Sequence, residues 1–151
     1  MRLRRAALVA GLSTLAACAP AFAVQVRECD ETAHAQSIME PWEKNTKSFY
    51  NGQVRVALMD TGGEPVCCSA HLLILAPDKD DEMGGRLCRL VGDKGALGFA
   101  GIDFARLTTR YDAGRGLLIS FPYQLYVDGI SNRTGVARVR VNLERGTVNA
   151  E

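Results

Sequence analysis

Between Leu117 and Val127 apolar residues fall on alternate positions: Leu117, Ile119, Phe121, Tyr123, Leu125 and Val127, opposite Ser120, Pro122 and Gln124. Ala137, Val139, Val141 and Leu143 repeat the pattern against Arg138, Arg140, Asn142 and Glu144. Side chains alternate across a strand, so a period of two predicts strands with one buried and one wetter face. The remaining runs place strands near 53–60, 66–76, 86–92 and 103–112, the two just described near 116–127 and 135–144, and a short piece near 147–149. Pro122 has no backbone N–H to give to a ladder, which assigns its strand to an edge or a bulge. Turn residues separate the runs: Asp60-Thr61-Gly62-Gly63, Asp112-Ala113-Gly114-Arg115-Gly116, Asp128-Gly129 and Arg145-Gly146. After Asp128-Gly129 the polar run to Gly135 predicts a loop longer than a tight hairpin turn.

Upstream of Asn51-Gly52 the period is helical. Ala35, Ile38, Met39 and Trp42 recur at i, i+3, i+4 and i+7, and Asp30 and Thr32 are candidate N-caps. Pro41 interrupts this stretch, so the expectation is one amphipathic helix or a kinked pair. Leu73, Leu75 and Leu118 stand on the polar phase of their strands, and the helix is the natural cover for such a second apolar face. The expected fold class is therefore mainly β with an α element (α+β). It is an antiparallel meander or sandwich of about six to seven strands, with the N-terminal amphipathic helix packed on the sheet.

The first 23 residues, MRLRRAALVAGLSTLAACAPAFA, look like an export signal. Arg2, Arg4 and Arg5 precede an apolar stretch too short to span a bilayer, and Ala21-Phe22-Ala23 presents small residues for cleavage. The expected division is a signal peptide over 1–23 and a single β-rich domain over 24–151. Leu15-Ala16-Ala17-Cys18 offers an alternative, a lipoprotein signal over 1–17 with Cys18 lipidated. Either way the expected location is periplasmic or secreted, with a lipid anchor in the bacterial envelope only in the second case. The signal holds three of the 18 basic residues and none of the 17 acidic ones, so residues 24–151 carry 15 bases against 17 acids, a net −2. That balance leaves no electrostatic footprint for nucleic acid or for an anionic bilayer, and no later segment reaches transmembrane length.

Four cysteines follow the signal: Cys29, Cys67, Cys68 and Cys88. An even number after an export signal points to two disulfides. If 67 and 68 lie in a strand they face opposite ways, so the expectation is that one ties the helical segment to the sheet and the other bonds Cys88. A thiol nucleophile pairing Cys67 or Cys68 with His71 would have to stay reduced after export, which argues against it. Zinc ligands seldom come from adjacent cysteines.

Other chemistry is sparse. Asp78-Lys79-Asp80-Asp81-Glu82 has calcium-type donors without the EF-hand spacing, and reads as a solvated loop in which Asp80, Asp81 and Glu82 could meet a basic partner. Arg106 and Arg110 on one strand, and Arg138 and Arg140 on another, are candidates to receive a carboxylate or phosphate. The competing reading has them cover apolar surface with their stems and pair with Asp103, Asp112 or Glu144. Tyr126, on the wetter phase, is a candidate anchor. No G-x-S-x-G, H-E-x-x-H or phosphate-cradling glycine loop is present, and the only histidines are His34 and His71. No catalytic residue, metal or cofactor is assigned. The sequence reads as an exported small binding or inhibitory domain of the bacterial cell envelope, acting through loops around 77–85 and 128–135 on a protein or small-molecule partner. The alternatives are a periplasmic hydrolase using scattered carboxylates and a structural envelope lipoprotein.

Overall fold

The structure is a computed structural model that describes residues 24–62, 66–127 and 131–151. The expected signal peptide, Cys18 and the Asp128-Gly129 turn lie outside the described residues. The chain forms two five-stranded antiparallel sheets. The first has the order β1-β5-β4-β3-β2, built from Gln25–Glu28 (β1), Thr46–Phe49 (β2), Val54–Asp60 (β3), Ala70–Pro77 (β4) and Arg86–Gly92 (β5). The second comprises Gly101–Ile102 (β6), Thr108–Asp112 (β7), Gly116–Val127 (β8), Ser131–Asn142 (β9) and Thr147–Ala150 (β10). Its order is β10-β9-β8, with β6 and β7 both on the free side of β8.

The period-two runs set the core. Val54, Val56, Leu58, Leu72, Ile74 and Val91 from the first sheet meet Leu117, Ile119, Phe121, Tyr123, Val139 and Val141 from the second in one buried cluster. Phe99 sits between the layers, its ring 6.2 Å from Phe121 and 4.5 Å from Tyr123. Ten strands stand where six or seven were expected. The excess comes from β1 and β2, which occupy sequence expected to be loop or helix, and from the division of 103–112.

That division has a local cause. Asp103 accepts a hydrogen bond from the Arg106 amide and caps a 3-10 turn over Phe104–Arg106, which breaks the ladder between β6 and β7. Contrary to expectation β8 is a central strand, paired with β9 on one side and with β6 and β7 on the other, and Pro122 is accommodated at the break instead of at an edge. The Asp103 amide donates to the Pro122 carbonyl at 3.0 Å, and in an antiparallel strand a residue's N–H and C=O face the same neighbour. The donor that proline lacks would therefore have pointed into the gap.

The long N-terminal helix is not formed. Among the described residues its place is taken by a 3-10 turn at Ala35–Ser37, one helical turn at Trp42–Asn45, and then β2. Pro41 precedes that single turn, and Trp42, one of the expected apolar stripe, is 46% exposed. A cover over the first sheet exists all the same. Ile38 bridges to Met59, and Cys29, Ala33 and Ile38 pack on Met59, Leu73 and Leu90, with Leu75 joining them. The irregular segment 29–39 thus covers part of the face assigned to the helix.

The disulfides also depart from expectation. Cys29 bonds Cys88, and Cys67 bonds its neighbour Cys68. The expected pairing assumed that 67 and 68 lie in a strand. They lie instead in a 3-10 turn over Val66–Cys68, ahead of β4, so strand alternation does not separate their side chains. Cys29 and Cys88 are cross-strand neighbours at the end of the β1–β5 ladder, where the Cys29 amide donates to the Cys88 carbonyl at 3.2 Å.

Candidate functional site

The two sheets present very different outer faces. Segment 29–39, held down by the Cys29–Cys88 bond, covers part of that of the first and leaves beside it a cleft of about 360 Å³ lined by Ile38, Ala57, Leu73 and Leu75 among others. The outer face of the second carries Leu118, Ser120, Pro122, Gln124 and Tyr126 from β8, opposite Arg140, Arg138, Val136, Thr134 and Asn132 from β9. The eight residue steps from Leu118 to Tyr126 at the usual strand rise make this a strip about 26 Å long. Val136 is 63% exposed and Tyr126 46%.

At the middle of the strip lies a cleft of about 570 Å³, lined by Asp103, Arg106, Pro122, Gln124, Thr134 and Val136 among others. Arg106 is not on a strand with Arg110, as expected, but on the 3-10 turn, which swings it over the cleft. Its guanidinium stands 3.8 Å from Asp103 and remains largely in solvent. Asp103 is the only carboxylate among the residues lining the cleft. The paired acids of a carboxylate hydrolase are therefore not assembled there.

At one end of the strip, arginines gather. Register places Arg110 and Arg140 on either side of Leu118, and Arg138 one row further along opposite Ser120. Leu118 is buried, and the two stems flank it as the surface-covering reading supposes. Arg140 is buried too, and its acid is none of those expected. Nε and Nη2 each donate to Glu151 at 2.9 Å in a fork, and Nη1 donates to the Gly116 carbonyl at 3.2 Å. Arg115 also pairs with Glu151. Hydrogen bonding from Arg140, ahead of the attraction to Arg115, holds the Glu151 carboxyl below the ordinary range. Among the described residues Arg110 and Arg138 form no ion pair.

The other candidates lie elsewhere. Asp80, Asp81 and Glu82 are in the β4–β5 hairpin loop, remote in register from the strip. Asp78 accepts from the Asp80 amide at 3.0 Å, Asp81 accepts from the Met83 amide at 2.8 Å, and Asp80 pairs with Lys79. Asp78 and Asp81 thus serve the loop's own backbone, while Asp80 and Glu82 remain exposed acids. Among the described residues no group of three or more His, Cys, Asp or Glu is placed to hold a metal ion. The expected loop at 128–135 is mostly strand, since β9 begins at Ser131 and pairs it with Val127. Asn132 and Thr134 thereby become part of the open face. Cys67 and Cys68 bear no free thiol, and His71 is buried with Nδ1 against the Ser69 carbonyl at 3.1 Å. The nucleophile reading has no support in this arrangement.

Gln124 and Val136 were not singled out as site residues, although the wet phase of two already identified strands contained them, and Thr134 lay in the 128–135 segment expected to be a binding loop rather than a strand. Glu151 and Arg115 left no such signal, because their meeting with Arg140 depends on the β9–β10 and β7–β8 pairings. Compared with protein-family models, with curated proteins and with solved structures, the chain shows no match to any. Among the described residues no helix is long and apolar enough to cross a membrane.

Proposed function

We propose that the protein is an exported, non-catalytic binding domain of the bacterial envelope, and that it takes an acidic segment of a partner protein along the outer face of the second sheet. The observation that carries this reading is the asymmetry of the two outer faces. A cross-linked segment of the chain lies across part of one and leaves a cleft of about 360 Å³ there, while the other stays open over the length of β8 and holds the larger cleft, of about 570 Å³. Charge selects the partner. The strip and its margins hold Arg106, Arg110, Arg115, Arg138 and Arg140 against Asp103, Asp112 and Glu151. This is a local positive excess on a domain whose net charge is −2. Val136, Pro122 and Tyr126 add apolar contact between the charges, and arginine and tyrosine are the usual anchors of protein interfaces. The loop at 77–85, favoured from sequence, keeps Asp80, Asp81 and Glu82 exposed, but its negative charge does not suit an acidic partner, so it is secondary in this reading.

The test uses the protein purified after export and a fluorescent hexaglutamate peptide, with hexalysine as the control. Anisotropy is expected to show binding of the acidic peptide alone, weakening as salt rises, because exposed charges are screened within about 8 Å at physiological ionic strength. Arg110→Glu with Arg138→Glu should abolish binding and leave the melting temperature unchanged, and Asp80→Asn should have no effect. Equal binding of the two peptides, or full binding by the double variant, rejects the proposal.

A further inference from the structure

Arg140 is a buried cation whose guanidinium lies in a hollow of about 310 Å³ that Arg115, Arg145, Asn149 and Glu151 also line. Arg115 and Arg140 both pair with the one side-chain carboxylate of Glu151, so this trio carries a positive excess, which Asp112 offsets in part. The pocket is held in shape by bonds that do not involve Glu151. Arg140 is tied to the Gly116 carbonyl, the Asn142 amide group donates to the Arg115 carbonyl at 3.2 Å, and the Arg145 amide donates to the Asn142 side chain at 2.9 Å. Taking the carboxylate away would leave Arg140 positioned by the Gly116 carbonyl and the Arg115 backbone held by Asn142, with the exposed Arg115 guanidinium free to adjust to a new anion. Glu151 itself is reached by solvent, with 26% of its side chain exposed, and it lies beside Arg138 on the open strip, donating its amide to the Arg138 carbonyl.

A buried guanidinium fixed independently of its carboxylate, with a second guanidinium alongside and the carboxylate within reach of solvent, is a receptor with its guest in place. We infer that Arg115 and Arg140 form a carboxylate-binding site, that Glu151 occupies it as an internal stand-in, and that a carboxylate of an acidic partner displaces Glu151. The inference rests on the second sheet's outer face being the docking surface and names the anchor point on it. A fork of two parallel hydrogen bonds from Arg140 suits a carboxylate and supplies direction that a lysine could not. The tethered Glu151 competes at the effective concentration of an intramolecular group. An external carboxylate therefore binds with its intrinsic affinity reduced by the fraction of molecules whose site stands open.

Glutarate, which has the carboxylate and spacer of a glutamate side chain, is the probe, measured by calorimetry at constant ionic strength. Glu151→Gln is expected to bind glutarate at least about tenfold more tightly than the unaltered protein, since the competitor is gone. Adding Arg140→Lys in that background should lose the gain. Should Glu151→Gln fold poorly, the unaltered protein carries the test. Titration with glutarate should shift the Arg115 and Arg140 Nε–H resonances and move the Glu151 side-chain carbon signal toward its free position. Equal glutarate affinity with and without Glu151, or stationary arginine signals in the unaltered protein, overturns the inference. Either result leaves the docking surface to be judged by the hexaglutamate assay, whose failure alone would not touch a glutarate site.

Discussion

His71 concentrates the residue-scale physics of the molecule. It is 2% exposed, Nδ1 meets the Ser69 carbonyl, and Nε2 is buried without a partner at hydrogen-bonding geometry. Burial lowers its pKa from the ordinary 6.5, against a smaller upward pull from the Ser69 and Ala96 backbones, while Arg27 and Asp30 act in opposite directions. The consequence for stability has a definite sign. Below pH 6.5 the unfolded chain takes up the imidazole proton before the folded one does, so stability falls with acidification from there down to the folded pKa. Above 6.5 the group contributes no pH dependence. Urea unfolding at pH 7.5 and pH 5 should show this loss, and His71→Leu should flatten it. Carboxylates do not confuse that window. Asp30, held at about 2 chiefly by the Thr32 hydroxyl, and Glu151, held low by Arg140, lose their contributions only in stronger acid. The imidazole also explains Gly98. A Cβ there would fall 2.5 Å from the Ala70 carbonyl and 2.7 Å from His71 Cε1. Gly98→Ala should therefore destabilise by about 1–3 kcal/mol in the same assay.

At the scale of elements, the two disulfides differ in what they connect. Cys29–Cys88 joins residues 59 apart and clamps segment 29–39 over Leu73 and Leu90. Removing it with paired Cys→Ser changes should cost about 2–4 kcal/mol. The same change should raise binding of a hydrophobic dye as the second apolar cluster opens. Cys67–Cys68 has a separation of 1 and closes almost no loop. In a chain-entropy account its removal should cost about 1 kcal/mol, and dye binding should stay low. Comparable losses from the two pairs would show that the vicinal bond supports the fold in some way other than restricting the unfolded chain. The break between β6 and β7 belongs to this scale too. A single capped turn at Asp103 lets two short strands share one edge of β8, and it carries Arg106 out of the sheet plane and over the cleft.

For the whole molecule, the central fact is that both sheets share one core while a segment of the chain crosses the outer face of only one. Phe121, fully buried and edge-on to Phe99, belongs to that shared core. Phe121→Ala should remove about 3–5 kcal/mol, a large part of the roughly 5–15 kcal/mol typical of a domain. Hydrogen exchange should show amides of β4 and β9 losing protection together, as expected for one cooperative unit. Protection lost in β9 alone would mean that the sheets are separate units.

Much of this architecture was legible in the chain. Strand β8 stands where alternation put it, because a strand buried on one face repeats every two residues whatever it pairs with, and β3, β5 and β10 stand close to the apolar runs between turn residues. Leu73 and Leu75 correctly signalled a second covered face. The cover itself was misread as a helix, because a spacing of i, i+3, i+4 also arises by chance in a short segment, and Pro41 followed by β2 decided otherwise. Charges along β8 and β9 could be assigned to a wet phase, yet Arg106 was given the wrong element because a capped turn inside an expected strand leaves no periodic trace. Local pattern thus determined which residues are buried and how the strands alternate, since those depend on neighbours within a few positions. The Cys29–Cys88 bond, the fork from Arg140 to Glu151 and the choice of open face were decided only by the tertiary structure. Each is a meeting of segments brought together by strand order and register, which no short window of sequence contains.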